Sequence, residues 1–362
     1  MSRKHLLYAF VHNNFGDDLF IKILCERYPN ENFYIGLDPN KANSSLKKID
    51  NLYFDKKLFK IDKLLKKESF INNHIKIKFN LVQKIYFKYL NSFNSSIYVV
   101  GSAFIQNNAN KDYTNLLLLE KRVTSSNKFF LINSNFGPYV DEKYLNISKN
   151  IISKMTHATF RDKYSYNLFK DIKIVSYAPD LVLTLKEKKI VSTNQVMISV
   201  MDLGDEYFRL IQNFIKELNN KGLNCKLVSF CKSQNDEKMA NQLIESIKDY
   251  KIDLLSYNGN IDEIIEEFNK SSYIISTRFH SLILSLALNK PFLPFIYSNK
   301  TDEVLNDINY KGIRIKNDTI KDINIKDTIN YLLNSKALNI DTYKLRANNQ
   351  FKSLDFYLKD IK

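Results

Sequence analysis

Two doubly wound α/β domains of similar size are predicted for this 362-residue chain, on three observations. Short apolar runs alternate with amphipathic stretches from end to end, the pattern of a parallel sheet with crossover helices. The alternation breaks at the charged stretch Lys186-Glu187-Lys188-Lys189 and restarts with Val196, Ile198 and Val200. Glycine and Asn-rich turns follow several of the apolar runs, where doubly wound sheets present backbone N–H groups to ligands.

In the first half, the runs 6–11, 33–36, 97–100, 129–132 and 158–160 read as strands, each followed by a polar turn and helical periodicity. The second half gives a strand at 196–200, a helix at about 206–218, a strand at 225–230, helices near 236–247 and 261–268, and a strand at 273–276. An apolar helix at 282–288 follows. Tyr343, Ala347, Phe351, Leu354, Leu358 and Ile361 fall on one helical face, so a closing helix is expected over about 342–361. The expected domains are therefore 1–189, with a basic insertion at about 55–90, and 190–362 with the closing helix.

Composition narrows the class. With 44% hydrophobic residues, 8 glycines and 6 prolines, the chain is globular and not linker-dominated. Its longest apolar runs, 97–105 and 282–288, fall well short of the roughly 20 residues a bilayer span needs. The apolar run at 6–11 is too short for a secretory segment, and three cysteines without C-x-x-C spacing fit thiols in a reducing compartment. A cytoplasmic location is expected.

The net charge of +15 is concentrated at 55–90, where ten lysines stand against Asp55, Asp62 and Glu68. Leu58, Phe59, Ile61, Leu64, Leu65 and Phe70 interleave with those lysines, so the stretch reads either as an amphipathic surface for an anionic membrane leaflet or as a solvated helix face. Charge alone favours a nucleic-acid partner; no DNA- or RNA-binding motif accompanies it, and none is expected.

The turn Asn13-Asn14-Phe15-Gly16-Asp17-Asp18 follows the first strand. It is not G-x-G-x-x-G, so it is either a ligand turn of another kind or a tight turn with Asp17 or Asp18 capping a helix. Gly101-Ser102-Ala103 and Gly137-Pro138 repeat the layout at later strand ends. Arg161, in Thr159-Phe160-Arg161-Asp162, either forks onto a bound carboxylate or phosphate or pairs within the chain with Asp162 or Asp180. In Ser276-Thr277-Arg278-Phe279-His280-Ser281, a fixed cation and a titratable imidazole share one strand-to-helix turn. Tyr297-Ser298-Asn299-Lys300 adds a cation after the next strand. No His, Cys or Asp cluster has metal-ligand spacing, so no metal is expected.

Taken in order, Asn14-x-Gly16-Asp17, Gly101-Ser102, Phe136-Gly137-Pro138, Phe160-Arg161-Asp162-x-x-Ser165, Ala178-Pro179-Asp180, Thr277-Arg278-x-His280 and Pro291 to Tyr297-x-x-Lys300 resemble the polysaccharide pyruvyl transferase family. The resemblance covers about residues 6–308. It implies a GT-B-like architecture, two Rossmann-like domains facing across a cleft. It also implies transfer of a pyruvyl group from phosphoenolpyruvate onto two hydroxyls of a sugar, as a cyclic ketal, in a cell-surface polysaccharide or its precursor.

By the same resemblance Arg161, Arg278 and His280 match donor-binding positions and Asp17 a cleft residue. Asn14, Gly16, Gly101, Ser102 and Lys300 are then substrate-binding, with His280 and Asp17 as the proton-transfer groups. Guanidinium groups suit a multiply charged donor, and an imidazole suits proton delivery. Phosphoenolpyruvate is a substrate in this reading, and no cofactor is implied. Gly101-Ser102-Ala103 departs from the family, which usually carries consecutive glycines there. A lipid-linked sugar acceptor would give membrane contact at the basic stretch a use. The alternative is a nucleotide-sugar glycosyltransferase of the same architecture, for which Glu237 and Glu245 have E-x7-E spacing on an ordinary helix.

Overall fold

The computed structural model describes residues 3–11, 13–61, 63, 81–106, 113–186 and 190–359. The chain forms two compact units, one of Met1–Val11, Phe20–Leu181 and Asn348–Lys362, the other of His12–Leu19 and Val182–Ala347.

The first unit holds a parallel sheet of β1 (Lys4–Tyr8), β2 (Asn32–Ile35), β3 (Leu52–Phe54), β4 (Ser95–Val99), β5 (Ser102–Phe104), β6 (Phe129–Phe136), β7 (His157–Phe160) and β8 (Val175–Tyr177). Its order is β3-β2-β1-β4-β6-β7-β8, with β5 paired to the end of β6. Every residue of β6 is buried, as expected of a central parallel strand covered on both faces. Leu6, Phe129, Leu131, Ile151, Phe160 and Phe169 share one core cluster.

The second unit carries β9 (Thr193–Ser199), β10 (Asn224–Ser229), β11 (Ile252–Ser256), β12 (Ser271–Ser276), β13 (Phe292–Ile296) and β14 (Ile315–Lys316). The order β11-β10-β9-β12-β13-β14 is fully parallel and reverses direction between β9 and β12. That reversal is a topological switch point, where open α/β sheets present their ligand turns. Val196, Ile198 and Leu227 from the strands pack with Tyr207, Ile211, Phe214 and Ile329 from the flanking helices. Helix Asp205–Asn220 shows why: six apolar residues at helical spacing are buried on one side.

The unit boundary, the C-terminal segment and the short strands add detail to the sequence expectation. The two compact units divide at Leu181/Val182, where Leu181 N–H donates to the Asn133 side chain (2.9 Å). The closing helix is two helices, Asp341–Ala347 and Lys352–Lys359, separated by a 3₁₀ turn at Asn348–Gln350, and everything from Asn348 onward groups with the first unit. The break leaves Gln350 buried at the first unit's strand ends, where it accepts from Asn133 N–H (2.9 Å) and donates to the carbonyls of Ala178 (2.7 Å) and Pro179 (3.1 Å). The Arg27 guanidinium and the Tyr28 hydroxyl, each 2.7 Å from Asp355, tie down the last helix. Finally, the short strands β3, β5 and β8 add to a sheet whose longer strands the apolar runs had marked.

Of the basic stretch, residues 62 and 64–80 lie outside the described residues, Lys66, Lys67, Leu64, Leu65 and Phe70 among them. In the described part, Lys56, Lys57, Lys60 and Lys63 are exposed, while Leu58 is buried in the first unit's core beside Gly36. Here the apolar side already packs inward. Cys25, Cys225 and Cys231 are buried free thiols, and burial pushes the Cys225 thiol up to about 12. Among the described residues no helix is long and apolar enough to cross a membrane.

Candidate functional site

In the second unit the site grows from the turn after β12. Ser199, the last residue of the neighbouring β9, accepts the N–H groups of Thr277 (2.8 Å) and Arg278 (3.1 Å) on its hydroxyl. Thr277 and Tyr207 share a further buried hydrogen bond of 2.8 Å. These bonds fix the turn. Helix Phe279–Ala287 starts at once, with Arg278 at its N-cap position in extended backbone. His280 therefore lies in the first helical turn, at the positive dipole end. Its ring stands edge-on to Phe279, centroids 5.6 Å apart, and the Lys300 ammonium lies 5.4 Å from the Phe279 ring centre.

The glycine turn belongs to the same unit. Asn14 precedes helix Phe15–Arg27 and caps it: its side-chain oxygen accepts Gly16 N–H and its carbonyl accepts Asp18 N–H, both at 3.1 Å. Asp17 and Asp18 are thus first-turn residues, and the capping role considered for them falls to Asn14. Phe15 anchors the turn through its N–H to the Phe230 carbonyl (3.2 Å) and its ring stacked on Phe230 at 5.0 Å.

Gly16 then meets His280. A Cβ at residue 16 would stand 2.1 Å from the imidazole Cε1 and 2.3 Å from Nε2, so only glycine lets the ring rest there. Asp17 is half-buried beside it in sequence. Asp18 is fully buried and accepts a 2.7 Å hydrogen bond from the Tyr257 hydroxyl. Burial first, and then the Asp18 charge and hydrogen bond, hold that phenol above its ordinary range. Asp18 and Tyr257 were not singled out for the site from sequence; the aspartate read as a helix-start residue, and the tyrosine is 239 positions away.

Arg278 has a partner that the sequence did not reveal. Its Nε donates to Asp236 Oδ2 (3.1 Å), its Nη2 donates to Asp236 Oδ1, and its Nη1 donates to Gln234. Asp236 opens helix Asp236–Ser246 with its side chain fully buried, and its Oδ2 also accepts the N–H groups of Phe230 and Cys231, each at 3.3 Å. Burial pushes the carboxyl up, and the guanidinium and the two backbone donors pull against it. On the same helix, Glu237 pairs with the exposed Lys232 (3.4 Å) and Glu245 is exposed. The E-x7-E pair forms no cluster with Arg278.

In the first unit, Arg161 follows β7 and is only 3% exposed. Its Nη1 donates to Asp180 (2.8 Å) and its Nη2 to the Asn135 side chain (2.7 Å). Of the two intrachain partners the sequence allowed, Asp180 takes the salt bridge. Asp162 instead caps the next helix, accepting Ser165 N–H at 2.7 Å and the Ser165 hydroxyl at 2.8 Å. Ser102 donates to the same Asn135 oxygen at 3.0 Å.

Gly101 lies against the guanidinium, where an added Cβ would come within 2.9 Å of Nη2. Of residues 101–103, the glycine is the one that lies against Arg161. The structure thus groups Asn14, Gly16, Asp17, Arg278, His280 and Lys300 in the second unit, and Gly101, Ser102 and Arg161 in the first. Chemically, the second-unit group combines a directed guanidinium, an ammonium, a helix N-terminus and an imidazole, a set suited to holding an anion while moving a proton.

Solved structures similar to this chain include GT-B glycosyltransferases. Anabaena HepE, bound to UDP and glucose, superposes with a TM-score of 0.57 at 8% identity, over 100% of this chain and 98% of that one. A point mutant of TarM from S. aureus, in complex with UDP and sugar ligands, gives 0.56 at 12% identity over 98% and 99%. A putative UDP-N-acetylglucosamine 2-epimerase from Listeria monocytogenes gives 0.57 at 10% over 99% and 95%. These likenesses establish a GT-B-like fold. No curated protein sequence matches. The family model for polysaccharide pyruvyl transferase matches residues 14–299, from Asn14 of the glycine turn to the helix start that carries Lys300. On that match, which spans most of its length, the chain belongs to the polysaccharide pyruvyl transferase family.

Proposed function

We propose that the protein transfers the pyruvyl group of phosphoenolpyruvate to two hydroxyls of a sugar in a cell-surface polysaccharide or its precursor. The observation that carries this reading is the His280 imidazole resting on Gly16, with Arg278 at the N-cap of the same helix and Lys300 beside Phe279. A guanidinium and an imidazole at one helix start support the reading, since the first suits an anion and the second a proton transfer.

In the proposed reaction, a proton reaches the methylene carbon of the donor, and the central carbon becomes electrophilic. One sugar hydroxyl adds there and gives up its proton; the carbon–oxygen bond to phosphate breaks; the second hydroxyl closes the ketal and gives up its own. Of the two hydroxyl protons, one is accounted for by the new methyl group and the other by the departing hydrogen phosphate. His280 is assigned the proton to carbon and Asp17 the hydroxyl proton, with Arg278 and Lys300 on the donor's charges. The family pattern gives Arg161 an anion-holding role as well.

Incubation with phosphoenolpyruvate and diol-bearing sugar acceptors should release inorganic phosphate and yield a product with a methyl singlet next to a proton-free ketal carbon in its NMR spectrum. His280→Gln should reduce turnover by about 10²–10⁴-fold, the usual loss when general acid–base catalysis is removed. Sugar transfer from a UDP-sugar donor, with no phosphate release from phosphoenolpyruvate, would replace this reading with the glycosyltransferase one.

A further inference from the structure

We infer that Asp236 is a positioning residue that aims Arg278, so that the anion is gripped by the N–H groups of Arg278 that Asp236 and Gln234 leave over; this rests on the phosphoenolpyruvate reading. A guanidinium carries five N–H donors in a fixed plane. Among the described residues Arg278 uses three: Nε and Nη2 on Asp236, and Nη1 on Gln234. Two remain, one on each terminal nitrogen, which suits them to a carboxylate or phosphoryl edge.

The charge arithmetic points the same way. The Asp236 side chain is fully buried and that of Arg278 is 12% exposed, so the pair presents a near-neutral unit to the site. Affinity for the donor then comes from direction more than from net charge.

Both Asp236 oxygens act only as acceptors: Oδ1 takes Nη2, and Oδ2 takes Nε, Phe230 N–H and Cys231 N–H. An asparagine would set an amide N–H₂ against an N–H donor whichever way it turned. Asp236→Asn therefore frees the guanidinium while leaving its charge in place. Gln234 is exposed and separated from Asp236 by Asn235 in the left-handed conformation (φ 63°), a turn that lets both flanking side chains reach one guanidinium.

The test is calorimetric titration of the full-length protein with phosphoenolpyruvate and, separately, with inorganic phosphate. Asp236→Asn should raise the dissociation constant for phosphoenolpyruvate about tenfold, the scale of one charge-assisted hydrogen bond. Inorganic phosphate, which has no single productive orientation, should bind at least as tightly as to wild type. In an Arg278→Lys background, Asp236→Asn should have no further effect on phosphoenolpyruvate, because its influence passes through Arg278. Gln234→Ala, at an exposed position, should give a smaller rise of about two- to threefold and serves if Asp236→Asn does not fold.

Unchanged phosphoenolpyruvate affinity in Asp236→Asn, or equal tightening of both anions, would overturn the positioning role; so would an additive cycle. If Gln234→Ala is the variant read, unchanged affinity there has the same meaning. Wild-type protein that does not bind phosphoenolpyruvate would instead defeat the donor reading and take this inference with it.

Discussion

The imidazole of His280 and the backbone of Gly16 are in contact so close that a methyl group at residue 16 would stand 2.1 Å from Cε1, 2.3 Å from Nε2 and 2.4 Å from Nδ1. Gly16→Ala should therefore displace the ring, cost about 1–3 kcal/mol of stability as an overpacking change, and lower turnover. Chemical denaturation of the four members of a Gly16→Ala, His280→Ala cycle separates the clash from other effects of alanine. With the ring removed, Gly16→Ala should be close to neutral. An equal cost in both backgrounds would mean that the contact does not explain the glycine.

The Arg161–Asp180 pair makes a second, structural prediction. Both side chains are nearly dry, at 3% and 2% exposure, with a 2.8 Å ion pair. Asp180→Asn takes the carboxylate from a buried guanidinium, and breaking such a pair costs about 3–5 kcal/mol. Urea unfolding should read this loss. A change under about 1 kcal/mol would show that Arg161 is held mainly by its other contacts, such as Asn135.

Acid sensitivity follows from two histidines of the first unit. Burial lowers His5 more than its neighbour Glu31 raises it, with Arg3 adding to the lowering; burial alone lowers His157. In the unfolded chain both return to an ordinary value of about 6.5. Below that pH the unfolded chain takes up protons that the native side chains resist, so stability rises with pH through this window. The contribution is complete above about 6.5 and is lost as the pH falls through the lowered native values.

Glu31 acts in the same sense at lower pH. Burial alone would raise it, but the hydrogen bonds from Arg3 and His5 and their charges outweigh that and lower it. Urea midpoints should fall from pH 7.5 to 5.5, and His157→Gln should flatten the slope. A midpoint that rises on acidification contradicts this assignment.

Much of the architecture was legible because central parallel strands announce themselves as unbroken apolar runs; the residues around Val196 and Cys225 could be little else. Strands such as Leu52–Phe54 and Val175–Tyr177 have three residues, too few to show a period, and take their identity from the neighbour they pair with. The closing helix looked continuous because its apolar face runs through residue 350; a buried glutamine whose amide serves three backbone groups breaks it.

Among the candidate residues of the two units, Gly16, Arg161, Arg278 and His280 stood out because turns at strand ends are few and their residue types are chemically specific. Their partners did not. Asp236 reads as an ordinary acidic first residue of a helix, and only the fold brings it to Arg278, 42 residues on. Tyr257 reached Asp18, and Gln350 reached Asn133, in the same way, across separations at which sequence carries no local signal.

If the Gly16, Arg278 and His280 group takes phosphoenolpyruvate as donor, that ligand stabilises the native protein. Thermal unfolding of wild type with millimolar phosphoenolpyruvate or UDP-glucose tests it most directly, since a ligand bound only by the native state stabilises by RT ln(1 + [L]/Kd). The melting temperature should rise with phosphoenolpyruvate, rise markedly less in Arg278→Lys, still rise in His280→Gln, and change little or not at all with UDP-glucose. Protection by UDP-glucose with no response to phosphoenolpyruvate would contradict it.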